Sequence, residues 1–158
     1  MPSLKQQRKV EIMTFKLKLY CLFCAVVFST SAPSAFADPQ DTIDHRVHIM
    51  RTIREQSEIL SLIDQKKAPA DHVAVHAQVL ALNVASAKAA FQPNVPGGRA
   101  KPEVWSQWAE FSKKLDALNA AASDLVKSTK SGGTTNLGSK LAALDCKGCH
   151  ESYRGPKK

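Results

Sequence analysis

The 158-residue sequence is poor in cysteine and lacks any continuous apolar run of membrane-spanning length. Its longest apolar run, Leu19–Phe28, has ten residues, which is too few for a bilayer core of about 30 Å. The sequence also lacks an internal repeat, a phosphate-binding loop, a Ser/His/Asp arrangement and a carboxylate pair with catalytic spacing. These absences indicate a single domain that is not an enzyme.

The N-terminal segment has the organisation of a secretory signal peptide. A basic region precedes the apolar run, and the small residues that follow end in an Ala-Phe-Ala sequence. We therefore predict that residues 1–37 are a signal peptide cleaved after Ala37 and that residues 38–158 form the mature domain. The alternative is a membrane anchor that the protein retains.

Removal of this leader changes both the cysteine content and the charge of the chain. Cys21 and Cys24 leave with it, whether translation starts at Met1 or at Met13. Five of the 22 basic residues and one of the 14 acidic residues leave as well, which lowers the net charge from +8 to +4. A charge this small does not indicate a nucleic-acid partner.

The mature chain shows the apolar spacing of helices and none of the alternation typical of strands. Three long segments carry apolar residues at three- and four-residue intervals, at residues 41–66, 73–91 and 102–130. A fourth helix is expected from Asn136 into the C-terminal cysteines. Four amphipathic helices of this kind predict an all-α, antiparallel four-helix bundle.

The expected helix ends depend on capping and breaking residues. Asp41 or Thr42 is expected to cap the first helix, and Asp71 to begin the second. Pro102 suits the first turn of the third helix, which the Ser-Gly-Gly sequence at residues 131–133 should end.

The stretch DCKGCHESYR, residues 145–154, contains both cysteines of the mature chain. Cys146, Cys149 and His150 form the pattern C-x-x-C-H, and on a helix all three project toward one face. The two sulfurs can then form thioethers with the two vinyl groups of one porphyrin, while the imidazole binds the iron as proximal ligand. The pattern predicts one covalently attached haem c.

Other uses of the two cysteines have less support. A thioredoxin-like redox pair needs a βαβ context, and a four-ligand zinc site needs further thiols or histidines. A structural disulfide would close only a tiny, strained loop. A helical exported protein without haem is the remaining alternative.

The chain resembles the class II c-type cytochromes, meaning cytochrome c-prime and its low-spin monohaem relatives. That family has its C-x-x-C-H near the C-terminus, in the last of four helices. A Pro-Glu-Ile/Val-Trp segment precedes the third helix of the family, and residues 102–105 read Pro-Glu-Val-Trp. The family's first helix carries an arginine and, four residues later, the distal residue, a pattern that Arg46 and Met50 match. The resemblance covers residues 41–154.

This resemblance implies a bundle with haem attached to the C-terminal helix, and roles for two residues of the first helix. Arg46 is expected to pair with a haem propionate, and Met50 to bind the iron on the distal side, opposite His150. A His/Met ligand pair closes the sixth position of the iron and produces a low-spin electron carrier. In the alternative, Met50 is a core methionine beside an open iron.

Two functions follow from these alternatives. The first is a periplasmic cytochrome that exchanges electrons with periplasmic or membrane redox proteins. The second is a five-coordinate cytochrome c-prime that binds nitric oxide or carbon monoxide. The family implies a periplasmic location, and it contains both monomers and homodimers. The basic cluster of Lys147, Arg154, Lys157 and Lys158 is either a rim that steers an acidic redox partner or an ordinary solvated tail.

Overall fold

The computed structural model describes residues 38–156. The predicted signal peptide, with Cys21 and Cys24, lies outside these residues, as do Lys157 and Lys158. The described chain contains six helices, which we number in chain order: α1 Pro39–Asp64, α2 Val73–Phe91, α3 Glu103–Ser106, α4 Trp108–Gly132, α5 Leu137–Ala142 and α6 Cys146–Tyr153.

The helices form an all-α bundle, which confirms the predicted fold class. Helix α2 packs between α1 and α4, and α5 packs against both α1 and α4. Within residues 38–156 the only β-type pairing consists of two isolated bridges, Gly97 with Ala100 and Ala100 with Arg154. The core is apolar, and its largest fully buried side chains are Leu60, Leu80, Leu125, Leu137, Val84 and Val104.

Helix α1 begins earlier than its sequence suggests. Asp38, rather than Asp41 or Thr42, is its N-cap, and its carboxylate accepts a hydrogen bond of 2.7 Å from the backbone N–H of Gln40. Pro39 occupies the first turn, where its missing N–H costs nothing. Asp41 lies in that turn, where its negative charge interacts favourably with the positive end of the helix dipole.

The second helix differs from the others because it is apolar on most of its surface. By length and composition α2 is able to cross a membrane. In the structure it packs between α1 and α4, and about a third of its apolar stretch is buried there. It begins at Val73, with His72 in the cap position. Asp71, the expected first residue, therefore lies just outside the helix.

The predicted third and fourth helices are each interrupted. Gln107, with φ −118° and ψ 38°, separates α3 from α4. Asp145, with a left-handed φ of 44°, separates α5 from α6. Residues of the fourth segment show helical spacing on both sides of this break, but a left-handed residue turns the chain and gives the cysteine-containing helix its own direction.

The loop before α3 is joined to the end of α6 by backbone hydrogen bonds. The N–H of Lys101 donates to the carbonyl of Tyr153 at 3.0 Å, and the N–H of Gly155 donates to the carbonyl of Arg99 at 2.7 Å. The ammonium group of Lys101 also donates to the carbonyls of Glu151 and Ser152. These contacts hold α6 against a loop about fifty residues away in the chain.

Candidate haem site

The cysteine-containing helix starts at a capped turn. The carboxylate of Asp145 accepts a hydrogen bond of 3.2 Å from the backbone N–H of Gly148. A Cβ atom at Gly148 would lie 2.6 Å from that carboxylate, closer than unbonded atoms tolerate. Any larger residue at this position between the two cysteines would therefore displace the capping carboxylate.

Cys146 and Cys149 lie on neighbouring turns of α6 and are not joined in a disulfide. Cys146 is exposed, and Cys149 is half-buried against the core. Although much of Cys146 is exposed to solvent, desolvation by the surrounding protein atoms raises the pKa of its thiol, as it does for Cys149, and the nearby Asp145 carboxylate adds to this effect. The positive charge of Lys114 partly opposes the rise in the pKa of Cys149. Both sulfurs are therefore protonated at neutral pH before any covalent attachment.

His150 follows on the same helix and is half-buried. Burial lowers its pKa below the ordinary value, and the positive charges of Arg154 and Arg99 lower it further. The imidazole is therefore neutral at pH 7, which is the form that binds a metal ion. The structure thus brings two thiols and a neutral imidazole together on one short helix.

Arg46 lies on α1 and is almost completely buried, with 3% of its surface exposed. Its Nη2 donates to the carbonyl of Val95 at 2.7 Å. The guanidinium carbon lies 5.5 Å from the ring centroid of Phe91 and 5.2 Å from that of Trp105. These ring contacts are within the range of cation–π attraction, and they hold the charged group in place.

One nitrogen of this guanidinium is unsatisfied. The Nη1 atom of Arg46 is buried and has no hydrogen-bond partner among the described residues. Burial also lowers the pKa of Arg46. A buried cationic donor without a partner is costly, and a carboxylate such as a haem propionate would satisfy it. The residues present therefore fit a haem group both at α6 and at α1.

Met50 lies one helical turn after Arg46 on α1. It is partly exposed and packs against the core, between the buried residues Ile49 and Ile53 in sequence. The contact that relates α1 to α6 runs through α3: Arg46 lies over Trp105 of α3, and α3 packs against α6. The two predicted groups of site residues are therefore linked by the Pro-Glu-Val-Trp segment.

Sequence reasoning had not assigned three other residues to this site. Asp145 caps α6, and its position directly before the first cysteine, together with its type, is a signal that could have revealed this role. Arg99 and Lys114 act on His150 and Cys149 through their charge. Both lie at least thirty residues from the cysteine motif in the chain, so no local sequence pattern predicts their effect on the site.

The site shows no arrangement typical of a free-standing metal centre. Within residues 38–156, no group of three or more His, Cys, Asp or Glu side chains is placed to hold a metal ion. The donor set of α6 instead suits an iron that arrives inside a porphyrin.

A family model described as Cytochrome C' matches residues 41–154. The chain belongs to the cytochrome c' family. It is therefore a monohaem c-type cytochrome with covalently attached haem c, as the C-x-x-C-H pattern predicted. The match covers the whole bundle from α1 to α6.

Curated relatives agree with this assignment. Cytochrome c' of Alcaligenes xylosoxydans xylosoxydans is 31% identical over 129 residues, covering 77% of this chain and 99% of the relative. Cytochrome c' of Pararhodospirillum photometricum is 34% identical over 126 residues, covering 75% and 99%. Cytochrome c-556 of Agrobacterium tumefaciens (strain II Chrys) is 30% identical over 119 residues, covering 71% and 95%.

Solved structures show the same architecture. Ferric cytochrome c prime from Alcaligenes xylosoxidans superposes with a TM-score of 0.72 at 28% identity, covering 77% of this chain and 99% of that one. A nitric oxide complex of a mutant of the same protein has a TM-score of 0.71 at 28% identity and the same coverage.

Proposed function

We propose that this cytochrome transfers electrons in the periplasm, with haem held by Cys146 and Cys149 and its iron bound by His150 and Met50. The observation that carries this proposal is the position of Met50, one turn after the buried Arg46 on α1. A thioether is a soft ligand that closes the sixth position of the iron and raises its reduction potential. The relative named cytochrome c-556 is compatible with such a carrier.

The protein's own residues have separate parts in this function. When bound, the haem supplies an iron that accepts and returns one electron. His150 presents a neutral imidazole because burial and two neighbouring arginines lower its pKa. Arg46 offers its unpartnered Nη1 to a propionate, a charge-assisted contact that orients the group. Because these residues hold and orient the haem, we propose a carrier rather than an enzyme.

A second function is favoured by the comparisons. Two of the relatives named above are cytochromes c', and a solved neighbour is a nitric oxide complex. In this function the iron keeps an open sixth position and binds nitric oxide or carbon monoxide. Met50 would then line the distal pocket without binding the iron.

Optical spectra of the holoprotein in both redox states separate the two functions. With Met50 bound, the ferric protein shows a low-spin spectrum and the weak far-red band of a methionine–iron bond. The variant Met50→Leu loses this band, has a lower reduction potential and binds carbon monoxide rapidly when reduced. Val47→Leu, an exposed position on the same helix, is the matched control and keeps the wild-type spectrum.

Two results would contradict the proposal at different levels. A high-spin ferric spectrum in the wild type, left nearly unchanged by Met50→Leu, would exclude the methionine ligand and support gas binding. Colourless protein from a host that attaches haem, with both thiols open to alkylation, would exclude the assignment of Cys146 and Cys149.

A further inference from the structure

We propose that the surface around the haem-attachment helix is a docking surface for an acidic redox-partner protein. We call this surface the basic rim and define it as Arg99, Lys114, Lys147 and Arg154. The inference rests on the proposed function as an electron carrier, and it adds the chemical class of the partner. Its charges come from the loop before α3, from α4 and from the C-terminal segment containing α6.

Three of the four cations meet around one open cavity. Arg99, Lys147 and Arg154 line a cavity of about 240 Å³ together with His150 and Glu151. The side chain of Lys147 is 89% exposed, and Arg154 is also exposed. These positive groups therefore face solvent beside the residue that we propose as the proximal iron ligand.

The fourth cation of the rim comes from another helix. Lys114 is exposed on α4. It lies one turn after Phe111, whose ring is 5.0 Å from that of Tyr153 at the end of α6. The rim therefore includes a cation from the helix whose Phe111 ring contacts the end of the haem-attachment helix.

Carboxylates neutralise little of this charge. Glu151 approaches Lys147 at 3.8 Å, but both side chains are exposed, so the pair is weak and strongly solvated. Asp145 is engaged by the backbone N–H of Gly148 as the helix cap. Arg99 is fixed in place because its Nε donates to the carbonyls of Gly155 and Pro156.

The chemistry of the rim favours an acidic protein over a lipid surface. The large apolar side chains that are exposed among the described residues are Val47, Leu62, Val75 and Leu82, all on α1 and α2. Peripheral membrane binding combines basic charge with inserted apolar side chains, and the rim supplies only the charge. Positive charge next to an electron-exchange site steers an acidic partner into a productive encounter.

The test measures electron exchange between the reduced holoprotein and hexacyanoferrate(III), a small anionic oxidant. One electron leaves the ferrous haem and converts hexacyanoferrate(III) into hexacyanoferrate(II). We expect the second-order rate to fall at least about fivefold from low to high ionic strength, as a locally attractive charge requires. A polyglutamate peptide should compete at low salt and slow the reaction.

Two double variants with equal change in net charge isolate the position of the charge. Lys114→Gln/Lys147→Gln removes two of the four cations of the rim. The fall in the logarithm of its oxidation rate from low to high salt should be at most about half that of the wild type. Polyglutamate should also slow its oxidation much less. Lys67→Gln/Lys130→Gln is the control, because Lys67 follows the C-terminal end of α1 and Lys130 lies about 28 Å along α4 from Phe111. The control should behave as the wild type.

Several outcomes would overturn the docking surface. Equal loss of salt dependence in both double variants would show that only net charge matters. Capture of the holoprotein by vesicles of phosphatidylcholine and phosphatidylglycerol, with no effect of polyglutamate, would identify a membrane surface instead. Hexacyanoferrate(III) oxidises high-spin and low-spin haem alike, so a failed methionine ligand leaves this test interpretable. A low-spin spectrum without salt dependence would refute the basic rim alone.

Discussion

At Gly97 the loop before α3 closely approaches α1. The φ of this glycine, +143°, is a conformation that other residues rarely adopt, and an added Cβ would overlap the side chain of Ile43. Ile43 lies one turn before Arg46 on α1. Gly97 therefore allows the loop to close over the part of α1 that carries the buried guanidinium.

The substitution Gly97→Ala should lower the free energy of unfolding by about 2–4 kcal/mol, since backbone strain and a steric clash act together. Gly133→Ala is the control, because Gly133 has a φ of +60° but nothing within 4 Å of the added Cβ. It should cost only the strain, about 1–2 kcal/mol. Urea unfolding of the two holoproteins measures both values, and equal losses would contradict the clash.

The position of Arg46 could be predicted from neighbouring residues in the sequence, but its contacts could not. Its spacing from Met50 placed both on one face of a helix, and its role toward a propionate came from family resemblance. The carbonyl of Val95 and the rings of Phe91 and Trp105 are contacts between distant segments. Helical spacing contains no information about them, and the propionate contact stays a prediction.

The short helix α3 connects the loop, α1 and the haem-attachment helix. The indole Nε1 of Trp105 donates to the carbonyls of Phe91 and Pro93, each at 3.0 Å. The same ring lies under the guanidinium of Arg46, and α3 packs against α6. A four-residue helix is marginal by itself, so these contacts stabilise its position.

Replacing Trp105 with phenylalanine should destabilise the holoprotein by about 1–3 kcal/mol, because the partly buried carbonyl of Phe91 and the exposed carbonyl of Pro93 lose their donor and a cation–π contact weakens. Trp108→Phe is the matched variant: Trp108 contacts the ring of Phe111 at 5.9 Å, and its predicted cost is about 1 kcal/mol or less. Thermal unfolding compares the two variants. A larger loss for Trp108→Phe would contradict the anchoring role of the indole.

At the scale of helices, local periodicity predicted the long elements and failed where the chain turns sharply. The apolar spacing of α1, α2 and α4 is regular because each buries one side over many turns. The break before α6 depends on Asp145, whose left-handed conformation and hydrogen bond to Gly148 end one helix and begin the next. A single aspartate inside a helical pattern does not predict the break, although an aspartate directly before the first cysteine is a residue type that caps helices.

The whole molecule is one bundle preceded by a leader that we predict to be removed. Helix α1 starts immediately after the predicted cleavage site, with Asp38 as its cap. Cleavage after Ala37 would therefore leave the first helix complete. This boundary is a prediction from the leader's composition, and residues 1–37 lie outside the described part of the chain.

Mass spectrometry of protein exported by a bacterial host tests this boundary. We expect a mature chain that begins at Asp38, contains 121 residues and carries the added mass of one haem. The variant Ala37→Lys should block cleavage at this site and leave a longer chain in the membrane fraction. A wild-type protein that retains residues before Asp38 would contradict the assignment of the leader.

The sequence by itself determined the properties that depend on near neighbours in the chain. The helical class and the C-x-x-C-H pattern are of this kind, because residues three and four apart on a helix share a face whatever surrounds them. The leader, also read from local composition, stays a prediction. Tertiary structure alone decided which distant groups meet: Arg99 beside His150, Lys114 near Cys149, and Arg46 between two aromatic rings. Packing of segments 35 or more residues apart creates these environments, and burial and charge there set the chemistry of the site.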